Sequence, residues 1–186
     1  ENFVEYLKQN LLTPREQTAI RVDEWVYGPG VPSNAPVVQS ERIARARAQA
    51  EQFVWGRPPS ELETEEWGTQ EWLLFFRALP KLTASQMADL DREFDLTQSG
   101  NSEILFAWLM KALESGYTPA DEALETFLTS MGRRKFLEPL YKELAKTPAG
   151  LERAREIYSR ARPTYHPVSQ QTIDEVLGWK EEKAAA

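Results

Sequence analysis

Asn101-Ser102-Glu103-Ile104-Leu105-Phe106-Ala107-Trp108-Leu109, followed by Gly132-Arg133-Arg134-Lys135-Phe136 and Pro139-Leu140-Tyr141-Lys142-Glu143-Leu144, is the part of this chain that decides its fold class. Ile104, Trp108, Leu109 and Ala112 recur at the spacing of one helix face. Leu124, Phe127, Leu128 and Met131 do the same one segment later, and Phe136, Leu140 and Leu144 make a third stripe. Such stripes bury only when helices pack on one another, so the segment reads as helical hairpins joined by short turns.

Start and stop signals extend the pattern outward. Thr83-Ala84-Ser85-Gln86 is a capping box, in which the Thr hydroxyl takes a first-turn amide while Gln reaches back. Thr118-Pro119 and Thr147-Pro148 each place a capping Thr before a proline at the first helical position. Asp121 and Glu122 suit the positive end of the helix that follows. Ser40-Glu41 and Asn101-Ser102-Glu103 open helices in the same manner. Gly56, Gly116 and Gly132 suit left-handed caps, and Arg162-Pro163 closes a further helix. The predicted helices run over 2–10, 40–54, 69–79, 83–94, 102–115, 119–131, 133–145, 148–162 and 167–177. Period-two alternation is scarce, so no strand is predicted. The expected fold is all-α, with antiparallel helical hairpins stacked in a two-layer, armadillo- or HEAT-like solenoid arrangement. The starts at Thr118 and Thr147 lie 29 residues apart, near the period of such repeats, although no internal sequence repeat accompanies them. The six tryptophans read as core packing, with Trp25 and Tyr27 set in a Pro/Gly-rich linker where an upstream domain would cover them.

Composition narrows the function classes. Lys and Arg number 22 against 29 Asp and Glu, a net charge of −7. A nucleic-acid binder needs the opposite excess to displace counterions, and an anionic membrane repels this balance. No apolar run approaches the roughly 20 residues of a membrane-spanning helix. Cysteine is absent, which removes disulfides and thiolate chemistry and suits both the cytoplasm and the periplasm. The chain opens on Glu1-Asn2-Phe3 without a methionine, which points to a gene product that starts further upstream.

Catalytic chemistry finds little to work with. A catalytic zinc takes about three protein ligands, commonly His and Glu, yet the only histidine is His166, placed before Pro167 as a cap would be. Without cysteine and with one histidine, no nucleophilic triad can be assembled. Neither a catalytic residue nor a metal ligand is assigned, and no cofactor is expected in this chain. The cluster Arg133-Arg134-Lys135 stands apart, because no other charged residue lies between Glu125 and Glu138. Two readings fit it. Three cations at a helix start, beside free backbone N–H groups, suit an anionic ligand. Equally, a charge run at a turn is commonly a solvated face that pairs with nearby acids.

The quoted motifs resemble those of leukotriene A4 hydrolase-like zinc aminopeptidases, in the C-terminal helical domain. The likeness is strongest over 100–167, and Trp25-Val26-Tyr27-Gly28-Pro29-Gly30-Val31-Pro32 resembles the linker that precedes that domain. The resemblance implies residues 1–26 as the tail of an upstream catalytic domain, 27–36 as a Pro/Gly linker and 37–186 as the C-terminal helical domain. It implies that the zinc ligands and general base of the parent aminopeptidase lie outside this chain, so that this portion alone has no peptidase activity. Its Gly-Arg-x-Lys-Phe motif gives Arg133 and Lys135 the role of binding the substrate's free carboxylate, with Arg134 read as a surface or interface residue. The implied partners are the upstream catalytic domain of the same polypeptide and the carboxylate of a peptide substrate. The rival expectation is a free-standing helical-repeat module for protein interaction.

Overall fold

The computed structural model describes residues 2–36 and 40–180. The chain divides into two compact units, Glu1–Ser40 and Glu41–Ala186. Every regular element among the described residues is helical, so the all-α expectation holds.

The first unit contains α1 (Asn2–Tyr6), a π-helical turn at Leu7–Leu11, α2 (Pro14–Ile20) and α3 (Val22–Tyr27). The last two helices are absent from the sequence reading. Their signal was present: Thr13 and Glu16 form a reciprocal capping box, and Pro14 occupies the first helical position. Arg21 turns the chain between them with φ of 57°, an unusual conformation for a residue with a side chain. Polar contacts tie the unit together. Lys8 Nζ bonds Asp23 at 2.6 Å, and Trp25 Nε1 donates to Asn34 Oδ1 at 3.0 Å.

The second unit runs α4 (Glu41–Val54), α5 (Thr69–Ala78), α6 (Ala84–Phe94), α7 (Ser102–Ser115), α8 (Asp121–Ser130), α9 (Arg134–Leu144), α10 (Pro148–Ala161) and α11 (Pro167–Leu177). Short 3-10 turns link several of them. The capping residues act largely as their sequence suggests. Thr83 closes its box with Gln86, Asn101 Oδ1 accepts from the amides of Glu103 and Ile104, and Thr147 accepts from Gly150. His166 Nδ1 accepts from Val168 N at 3.3 Å, the capping role expected of it. Gly56 and Gly116 take positive φ.

Three expectations are corrected. Thr118 caps nothing: it opens a 3-10 turn, and α8 begins after Ala120 without a side-chain cap. Because Pro119 has no N–H, the tighter turn leaves one donor fewer to satisfy. Gly132 has no positive φ, since α8 ends at Met131 in an extended conformation instead of a left-handed one. The tryptophans do not all pack inside, because Trp55 projects from the end of α4 at 88% exposure.

Helix pairing places α5 against α7, α7 against α9 and α9 against α11, with α8 on α10 and α4 on α5. Trp108 of α7 lies fully inside this assembly. Its ring meets Phe76 of α5 at 6.1 Å and Tyr117 at 5.9 Å. Its indole N–H donates to Thr97 Oγ1 at 2.9 Å, and Thr97 in turn donates to Asp91 at 2.7 Å. A second polar cluster joins α9, α10 and α11. Tyr141 and Tyr165 share a hydrogen bond of 3.1 Å, and Tyr165 also bonds the Leu128 carbonyl. Tyr158 donates to Asp174 at 2.7 Å, and Arg162 clamps the same carboxylate with two bonds of 2.9 Å. Burial pushes all three phenols above their ordinary range.

Trp108→Ala removes a fully buried aromatic and leaves Thr97 without its donor. The expected loss is about 3–5 kcal/mol in chemical denaturation, with the helical signal of the folded baseline retained. Asp174 gives a pH signature. The Arg162 hydrogen bonds hold its carboxyl below the ordinary value, with Tyr158 adding to the effect. Its folded pKa therefore lies below its unfolded one, so its contribution is present above the unfolded value and lost as pH falls through the folded one. Asp174→Asn should destabilise the chain at neutral pH, and the gap to the parent should narrow once pH falls below about 4. Thermal melts at stepped pH measure this; a gap that stays constant refutes the assignment.

Candidate anion site at the start of α9

Two helix starts build the site. At the first, Asn101 fixes the opening turn of α7 through its two amide bonds, and its Nδ2 donates to Thr69 Oγ1 at 2.9 Å, tying α7 to the start of α5. Glu103 sits in that turn. At the second, Ser169 of α11, 4% exposed, donates its hydroxyl to the Gly132 carbonyl at 3.1 Å. That bond holds the chain extended into Arg133, the residue before α9, whose carbonyl accepts from Phe136 N at 3.0 Å. No side chain caps α9, so the positive end of its dipole is not neutralised by a capping carboxylate.

Phe136 turns inward at 2% exposure and packs on Phe106 of α7 and Phe127 of α8, with ring centroids 5.1 and 5.7 Å away. Leu137 is buried beside it, and the residues before it face out. Arg133, Arg134 and Lys135 are all exposed. The Lys135 ammonium stands 4.6 Å from the Phe136 centroid and the Arg133 guanidinium 5.7 Å, so both residues named in the sequence reading share one ring. Arg134 lies apart and acts on Glu138. That carboxyl is held below its ordinary value first by the hydrogen bond from Lys142, with a smaller contribution from Arg134.

The pairing of these cations is uneven. Lys135 forms an ion pair with Glu103, with both side chains partly open to solvent at 48% and 37%. Arg133 has no carboxylate partner among the described residues; its guanidinium stands over the Phe136 ring. Glu103 also borders a groove of about 430 Å³ between α5 and α7, beside Phe106, Met110 and Leu73. The sequence reading gave Glu103 no part in the site. Thirty-two positions separate it from Lys135, and no local spacing rule reaches that far.

Zinc has no place among the described residues, where no cluster of three His, Cys, Asp or Glu side chains is suited to a metal. The one histidine spends its Nδ1 on a helix cap. The described residues do not fit a catalytic metal.

A family model for the C-terminal region of leukotriene A4 hydrolase matches residues 67–177. Leucine aminopeptidase 2 of Ajellomyces capsulatus (strain NAm1 / WU24) is 25% identical over 168 residues, covering 86% of this chain and 26% of that protein. Leucine aminopeptidase 2 of Neurospora crassa is 29% identical over 127 residues, covering 66% and 19%. This chain therefore spans between about a fifth and a quarter of the length of these curated relatives. The structure of native yeast leukotriene A4 hydrolase superposes with a TM-score of 0.72 at 18% identity, covering 84% of this chain and 29% of that one. The yeast enzyme in complex with bestatin gives 0.72 at 16% identity, covering 96% and 32%. At these identities the structural likeness is one of fold.

Gly132 separates local need from ligand need. A Cβ built there meets nothing within 4 Å, and its φ is not positive. Gly132→Ala should leave stability within about 1 kcal/mol of the parent, in the direction of a gain. Gly150→Ala should be clearly destabilised, because its Cβ would stand 2.1 Å from the Leu144 carbonyl. Paired thermal melts test the contrast; a large loss at Gly132 would show that the fold itself requires the glycine.

Proposed function

From its membership of the leukotriene A4 hydrolase C-terminal family, we propose that this chain is the C-terminal helical domain of a zinc aminopeptidase. In that reading it walls one side of the active-site cavity, and Arg133 with Lys135 binds the free carboxylate of a peptide substrate. The catalytic zinc and its general base would belong to an upstream domain of the same polypeptide. One observation carries the proposal: Arg133 and Lys135 meet over a single buried ring, at a helix start with no capping carboxylate, inside the segment that the family model matches. An Arg fork takes a carboxylate through two parallel hydrogen bonds, and Lys adds a point charge. Arg133, lacking a carboxylate partner among the described residues, is the primary contact.

The first unit supports the domain reading. Phe3, Tyr6, Leu11, Trp25, Tyr27 and Val31 are exposed there, from 48% to 82%. Apolar surface on that scale in a short segment suits contact with another domain. We assign residues 1–26 to the tail of the upstream catalytic domain and residues 27–36 to the linker.

The test uses the full-length enzyme and two substrate classes. Tripeptides carry a free carboxylate; aminoacyl anilides do not. Arg133→Ala should lower kcat/KM for tripeptides about 10- to 150-fold, the worth of a charged hydrogen-bonded contact, and leave anilides nearly unchanged. Lys135→Ala should follow the same pattern more weakly, and Arg134→Ala should change little. Equal losses for both classes with Arg133→Ala, or no loss in either, would return the cluster to a solvated surface.

A further inference from the structure

We propose that Glu103 is a built-in counter-anion of this site, which competes with the ligand for Lys135 and sets which carboxylates the site admits. The inference rests on Arg133 and Lys135 being the carboxylate clamp, and it deepens that reading. The observation behind it is the uneven pairing of the cations. Glu103 occupies Lys135, while Arg133 has no carboxylate partner among the described residues.

Glu103 is well placed for this task. Its backbone amide is fixed by Asn101 at 3.0 Å, and Asn101 is fixed to Thr69 in turn, so the carboxylate starts from a rigid turn. The pair bridges the opening turns of α7 and α9 and lies in reach of solvent. Lys135 is thereby drawn over the Phe136 ring, 4.6 Å from its centroid. The carboxylate therefore competes with an incoming anion for the Lys135 charge.

Two consequences follow for the ligand. A single carboxylate engages Arg133 by its fork and shares or takes Lys135 from Glu103, so the site binds more weakly than two unencumbered cations would. A ligand with a second carboxylate close to the first brings it toward the Glu103 oxygens, where like charges repel. The substrate class is thus a peptide whose C-terminal residue is neutral, with peptides ending in Asp or Glu disfavoured.

The experiment compares the full-length parent with Glu103→Gln and Glu103→Asp. For tripeptides with a neutral C-terminal residue, Glu103→Gln should lower KM about 2- to 5-fold, the worth of an exposed ion pair, with kcat unchanged. For tripeptides ending in Asp or Glu the fall should be larger. Aminoacyl anilides should show no change. Glu103→Asp withdraws the carboxylate by one methylene while keeping the charge at the helix start, so its KM should lie between those of the parent and Glu103→Gln. A rise in KM for peptides would overturn the proposal, and the same rise for anilides with a fall in Tm would mark Glu103 as merely structural. An unchanged KM for acidic and neutral tripeptides, in a protein where Arg133→Ala still separates peptides from anilides, would overturn it as well. Failure of Arg133→Ala to separate them sinks the clamp itself, through a different variant.

Discussion

The burial of Phe136 is the constraint on which both core and site depend. Its ring closes the contact among α7, α8 and α9 by meeting Phe106 and Phe127. Successive helical positions turn by about 100°, so Phe136 and Leu137 together fill the buried face of this turn and leave Lys135 on its edge. Once Phe136 points inward, Lys135 is carried to the rim. Arg133, one position before the helix, lies on the extended chain that the Ser169 bond holds in place. Deleting the aromatic would open the core and release the cations together. Stability and the placement of these cations are therefore coupled at this residue.

The relation of α7 to α9 places the site at one end of the second unit. Their first turns meet through Glu103 and Lys135, while Leu113 and Leu144, near their last turns, border a common cleft of about 500 Å³. The two helices thus run in the same direction, and their positive dipole ends lie side by side. Pro139 adds a local effect in the second turn of α9. Lacking an N–H, it cannot bond the Lys135 carbonyl, which would be its helical acceptor. The start of α9 is consequently less tied to the body of its own helix than an uninterrupted helix would be. Its fixation comes from the Phe136 ring, from Ser169 and from the ion pair across to α7.

Much of this was legible in the sequence because caps and apolar spacing are local. Asn101, Thr83, Thr147 and His166 each act within three residues of themselves, and the stripe of Trp108, Leu109 and Ala112 lies on a single helix face. Thr118 misled because Thr-Pro satisfies the same local rule whether a 3-10 turn or an α-helix follows; the choice is made by where Ala120 and Tyr117 pack. Gly132 misled because a glycine after a helix usually signals a left-handed cap, whereas here its carbonyl is claimed by a serine 37 positions away. Trp55 carries no local mark of exposure. The partnership of Lys135 with Glu103 was hidden for the same reason as the Ser169 bond: both are products of helix packing.

The charge balance of the whole chain sharpens what such a site can select. A net charge of −7 gives a background that disfavours anions. At physiological ionic strength charges more than about 8 Å away are largely screened. A unit charge in contact at 4 Å is worth about 4 kcal/mol in the intermediate dielectric near a protein surface. Contact therefore outweighs the acidic background, but only within contact range. A site of this kind has little power to draw a polyanion from a distance, and Glu103 weakens that pull further. It is suited to one carboxylate delivered by a ligand that other surfaces have already positioned.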